Sequence, residues 1–128
     1  MSTSFSVVRL IADGKGESRF DDYEVSQPFI QFAPPAPPLF VSPVEGAIGY
    51  VVLRIPVGWI GEPHPSPHRQ MLFCMSGVLR ATASDGTVRI IKPGTAWLMA
   101  DTDGKGHKSE VISDVPFDAI VVLLANPS

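Results

Sequence analysis

The chain has 128 residues, is 45% apolar and 18% charged, and carries 10 basic against 13 acidic residues for a net charge of −3. That length suits one domain with a real core, and without a basic stripe the sequence excludes a nucleic-acid partner. A single cysteine, Cys74, excludes an internal disulfide; no apolar run approaches the 18 residues of a membrane span and the first residues lack a signal-peptide pattern, so the expectation is a cytoplasmic protein with no membrane partner.

In chain order, Phe5 to Ile11 reads as a first strand and Ala12 to Glu24 as a polar loop ending in the solvated acidic cluster Asp21-Asp22-Tyr23-Glu24. Between Phe32 and Phe40, Pro34, Pro35, Pro37 and Pro38 forbid helix and central strand, which predicts a rigid polyproline spacer. Residues 1–45 are therefore expected to form an N-terminal arm that packs on the rest of the fold or on a second subunit. Beyond it, short strands recur at even spacing: 49–57, 70–75, 78–83, 87–91, 95–100, 107–112 and 117–124. Ser84-Asp85-Gly86 is a strong hairpin signal, because Asp-Gly supplies the positive φ angles of a two-residue turn. No long window carries a 3.6-residue apolar period. The pattern predicts an all-β sandwich or barrel over residues 46–126, in a single domain spanning 1–128.

The chemistry-bearing residues concentrate in two places. His64-Pro-Ser-Pro-His68-Arg-Gln70 opens one strand, and Gly104-Lys105-Gly106-His107 opens another some forty residues on. By period-two alternation Leu72 and Cys74 share the strand face of Gln70, with Cys74 a small buried apolar group, while Arg69 has the opposite parity and is expected to face out, where an end-of-strand arginine could meet an anionic ligand or a neighbouring subunit. Asp101-Thr-Asp103 mimics the start of a calcium loop, but Lys105 and Ile112 stand where oxygen ligands would be needed, so that reading fails.

Gly58, His64, Gln70 and Gly77, followed by Gly94, Gly104 and His107, resemble the two motifs of the cupin superfamily over residues 46 to 124. The match departs from the family pattern at Ser66 (a histidine place), Gln70 (the glutamate place), Ala100 (a proline place) and Val111 (an asparagine place), and two extra residues lie in the second motif's loop. The resemblance implies a double-stranded β-helix, or jelly-roll barrel, whose mouth holds a small-molecule site on His64, Gln70 and His107, with Ser66, Leu72 and Cys74 lining the pocket. It also implies one divalent transition metal (Zn, Ni, Mn, Fe or Cu) on those three residues, with His68 and Glu62 as substitute ligands, and no organic cofactor. Replacing glutamate by Gln70 removes a negative charge beside a dication, on the order of several kcal/mol at an effective dielectric near 20, so any such centre is weak. Small cupins pair through their sheets, which implies a homodimer. The expected activity is then either metal-assisted oxygenase, isomerase or lyase chemistry, or a metal-free role as a ligand-binding sensor or an assembly module.

Overall fold

The computed structural model describes residues 1–125, and these form strands and turns only. The elements are β1 (Ser2–Ala12), β2 (Ser18–Phe20), β3 (Tyr23–Ile30), β4 (Leu39–Phe40), β5 (Ala47–Ile55), β6 (Ile60–His64), β7 (Gln70–Ser76), β8 (Leu79–Ala83), β9 (Val88–Ile91), β10 (Ala96–Ala100), β11 (His107–Val111) and β12 (Phe117–Leu124). They build two facing sheets. The large one runs β4-β3-β1-β10-β7-β12-β5, with β2 also on β1, and the small one runs β6-β11-β8-β9. This is the expected all-β jelly roll. Residue 126, the last of the expected barrel, lies outside the described residues.

Alternation decides what each sheet shows the other. From the large sheet Leu10, Leu72, Cys74, Trp97, Met99, Phe117, Ala119 and Val121 point inward, and from the small sheet Leu79, Ala81, Ala83, Ile91 and Val111 answer them in one continuous core. Trp97 and Phe117 are wholly buried and fill the middle of the space between the sheets. The hairpin expected at Ser84-Asp85-Gly86 joins β8 to β9, but as a three-residue loop closed by the Ala83 N–H on the Thr87 carbonyl, with Gly86 alone left-handed at φ 91° in place of the two positive φ angles expected of Asp85-Gly86. Gly77, also left-handed at φ 77°, lies so close to the Pro116 carbonyl that no side chain would fit between them.

The first 45 residues contain more structure than their sequence announces. β1 pairs in parallel with β10, from Val8↔Trp97 to Ile11↔Ala100, and is thus part of the wall. The stretch read as one polar loop contains β2 and the start of β3, both paired to β1. The proline run is not an extended spacer. It is the tip of the β3–β4 hairpin, closed by the Ala36 N–H to the Ala33 carbonyl at 2.9 Å and by the Gln31 amide on the Ala36 carbonyl at 2.7 Å. Among the described residues no helix is long and apolar enough to cross a membrane.

Candidate functional site

β11 lies between β6 and β8, and its first residue, His107, stands directly opposite His64 of β6 and Ala83 of β8. Residues opposite each other in an antiparallel pair share a face, so both imidazoles start on the inner face. Their ring centres are 5.2 Å apart and tilted by 47°. His107, Ser109 and Val111 point into the barrel, and His107 is 2% exposed. His64 sits on the edge strand and is exposed.

A β-bulge explains the asymmetry. The register runs His107↔His64 but Ser109↔Gly61, so β6 carries one residue more than β11 over that stretch. The extra residue breaks the two-residue parity that would have set the Glu62 side chain beside His64. Glu62 is exposed, and its backbone carbonyl, not its carboxylate, meets the His64 ring, accepting from Nδ1–H at 2.7 Å.

His107 has a stronger anchor. Its Nδ1–H donates to Oδ2 of Asp101 at 2.7 Å, and Ser66 Oγ donates to Oδ1 of the same carboxylate at 2.7 Å. Asp101 and Ser66 are wholly or almost wholly buried, so both oxygens of the carboxylate are matched where water cannot reach. A backbone bond from Ser66 N–H to the Asp101 carbonyl, 2.9 Å, ties the two loops together. Trp97 meets His107 edge-on at 5.4 Å and closes the inner side. Among the described residues its Nε1 is the one buried side-chain polar atom without a hydrogen-bond partner.

The loop before His107 is fixed by the segment before β2. Ser18 Oγ donates to the Gly106 carbonyl at 2.6 Å, Lys105 N–H to the Gly16 carbonyl at 2.9 Å, and the Lys105 ammonium pairs with Glu17 at 2.8 Å. That hydrogen bond to Lys105 is the main cause holding the Glu17 carboxyl below its ordinary range. Gly106 has φ +72°, and a Cβ there would strike the His64 carbonyl and the Pro65 nitrogen. Only glycine lets the two histidine-bearing segments approach this closely.

The other expected residues have partners of their own. Gln70 is buried with its amide on the Met99 sulfur at 3.4 Å. His68 Nε2–H donates to the Leu124 carbonyl at 2.8 Å, which ties it to the end of β12. Leu72 and Cys74 belong to the core packing. Burial pushes the Cys74 thiol up to about 11, so it is protonated and inert at neutral pH. Asp101, Ser18 and Trp97 were not among the expected site residues. The only signal for Asp101 was its place in the glycine-containing loop before His107.

The donor set decides how a metal would fare. Both imidazoles donate through Nδ1, which leaves Nε2 of each as a lone-pair donor, the arrangement in which an outer partner orients a ligating histidine. No anionic group joins them. Among the described residues there is no group of three or more His, Cys, Asp or Glu side chains able to hold a metal ion. Two neutral nitrogens do not fit a tightly held resident ion of the kind the full cupin motif carries.

Two concavities stand out among the described residues. One, of about 480 Å³, is lined by Pro63, Thr82, Ser84, Lys105, His107 and Lys108, so one of the two imidazoles borders it; the other, of about 530 Å³, lies on the outer face of the large sheet.

With the geometry in place, comparison with known proteins defines the class. No family model and no curated protein sequence matches this chain. Among solved structures, the cupin domain of Cnp3 from Schizosaccharomyces pombe superposes with a TM-score of 0.50 at 11% identity, over 97% of this chain and 84% of that one. A conserved protein of unknown function from Streptococcus pyogenes aligns with a TM-score of 0.46 at 19% identity, over 70% of this chain and 72% of that one. The chain has the cupin fold. Within that fold it is a single jelly roll in which His64 and His107 stand opposite each other across β6 and β11.

Proposed function

We propose that this chain is a small-molecule-binding cupin whose site is the imidazole pair His64 and His107, with Asp101 and Ser66 as positioning residues. The observation that carries this reading is the buried carboxylate that fixes His107. A fully buried aspartate accepting from both a serine and an imidazole is costly to desolvate, and its effect is to present Nε2 of His107 in one tautomer at 5.2 Å ring separation from a second imidazole whose Nδ1 is taken by a backbone carbonyl. The site then offers two adjacent lone pairs, which suit a small oxygenated molecule that donates from two hydroxyl groups. Without an anionic ligand, and with Cys74 protonated, the residues support binding rather than metal-assisted turnover.

A second reading, a weak and exchangeable metal on the same two nitrogens, has one observation in its favour. Imidazoles bound through Nε2 at about 2.1 Å to one tetrahedral ion have ring centres about 5 Å apart, close to the separation found. The test is to follow the His64 and His107 ring signals by NMR during titration with a panel of small hydroxylated compounds, then with Zn, Ni and Mn salts. Binding of an organic compound without metal, lost in His107→Ala, is the expected result. A stoichiometric ion required for that binding, and lost in both His64→Ala and His107→Ala, would replace the first reading with the second. No response to either series would overturn both.

A further inference from the structure

The large sheet buries apolar side chains on both faces. On the outer face, Val7, Ala96, Leu98 and Leu124 form a second core cluster, with Tyr23, Val25, Met71 and Val122 packed against it. The segment 42–45 passes over one side and leaves a groove of about 530 Å³, a volume typical of a small-molecule site. Strand register gives the groove a polarity. At one end Arg9 pairs with Leu98 across β1 and β10, Leu98 with Met71 across β10 and β7, and Arg69 stands two residues before Met71. At the other end stand Phe5 and Val25, paired across β1 and β3, with Phe73 beyond them on β7.

The two guanidiniums are not equivalent. Arg9 is held by Asp21, with Nε at 2.7 Å, and lies over the Tyr23 ring at 4.7 Å. Arg69 is mostly covered, its side chain 28% exposed, yet its carboxylate partner Glu45 is 3.6 Å away and 67% exposed. A largely desolvated guanidinium with only a long contact to a solvated carboxylate favours a closer anion. Burial, partly offset by Arg9 and Arg69, raises the Tyr23 hydroxyl above its ordinary value, which keeps it a neutral donor beside them.

We propose that this groove binds an amphipathic monocarboxylate, its head on Arg69 with the Tyr23 hydroxyl as a second donor, and its apolar body along Val7, Ala96 and Phe73 toward Phe5. The site is independent of the imidazole pair, from which it is separated by the thickness of the large sheet. An apolar floor with guanidiniums at one end only, one of them loosely paired, favours this chemistry over a neutral lipid or a polyanion.

The test uses the full chain and two probes of equal length, decanoate and decanol, measured by calorimetry and by NMR. Saturable decanoate binding, at least fivefold tighter than decanol, is expected. Arg69→Gln should remove that preference while leaving decanol binding as it was, and Phe5→Ser should weaken both probes. His107→Ala should change neither. Equal affinity for the two probes, an unchanged preference in Arg69→Gln, or loss of binding in His107→Ala would each overturn the proposal. So would an absence of binding in a protein that sediments as a dimer with Phe5 and Phe73 protected, because the groove would then be covered by a second copy.

Discussion

Two segments each deliver one imidazole to the same spot, and they are built differently. Residues 101–107 are held from every side: Ser66 on Asp101, Asp101 on His107, Ser18 on Gly106, and Trp97 against the ring. Residues 60–64 form an exposed edge strand with a bulge, where His64 is held by a single bond to a backbone carbonyl two residues away. The first segment belongs to the core as well as to the site, whereas His64 belongs to the site alone. A binding site can divide its work this way, with one group fixed by the fold and another free at the rim to meet the ligand.

The difference can be broken most forcefully at Asp101. Asp101→Ala strands the His107 Nδ1–H and the Ser66 hydroxyl in a dry interior, for an expected loss of about 2–4 kcal/mol in urea unfolding. Asp101→Asn keeps an oxygen for one of the two donors and should lose about half as much, with a changed His107 tautomer signal in the NMR spectrum. Gly106→Ala attacks the junction between the segments. The left-handed backbone at φ +72° costs a non-glycine residue about 1–2 kcal/mol, and the added methyl would overlap the His64 carbonyl, so the edge strand must shift to admit it. Stability should fall by about 2 kcal/mol, and the His64 ring signal should shift even though His64 itself is intact.

These same contacts mark where the sequence could and could not be read. The even strand spacing from residue 70 onward was legible from local alternation and the Ser84-Asp85-Gly86 hairpin from turn chemistry, whereas the meeting of His64 with His107 was legible only through the resemblance to the cupin motifs. Asp101 was not. Its partners, Ser66 and His107, are set by closure of two loops, and beside Asp103 and Gly104 it looked like part of a failed calcium loop. β6 was missed because Pro63 and Pro65 hide a short edge strand, and its bulge cancels the parity that made Glu62 look like a neighbour of His64. β2 and β3 were missed for a different reason. β1 reaches its partner β10 almost ninety residues later in a parallel pairing, and nothing local in a polar stretch signals that β2 and β3 will dock along its other edge.

Two smaller substitutions sharpen the contrast. His68 lies in the loop after His64, but its Nε2–H is bonded to the Leu124 carbonyl, in a part-buried setting on the opposite side of the loop. His68→Ala should therefore cost about 1 kcal/mol of stability and leave the ring signals of His64 and His107 in place. His64→Ala should do the reverse. The side chain is exposed and donates to a carbonyl that water can satisfy, so stability should stay within about 0.5 kcal/mol of the parent. Ligand response should nevertheless fall at least tenfold, since one of the two Nε2 lone pairs is gone while Asp101 still holds the other. If His64→Ala unfolded the chain as readily as Asp101→Ala, the rim histidine would be part of the fold's support, and the division between a fixed and a free imidazole would collapse. Equal stability with undiminished ligand response would be as damaging, because His107 would then act without its neighbour.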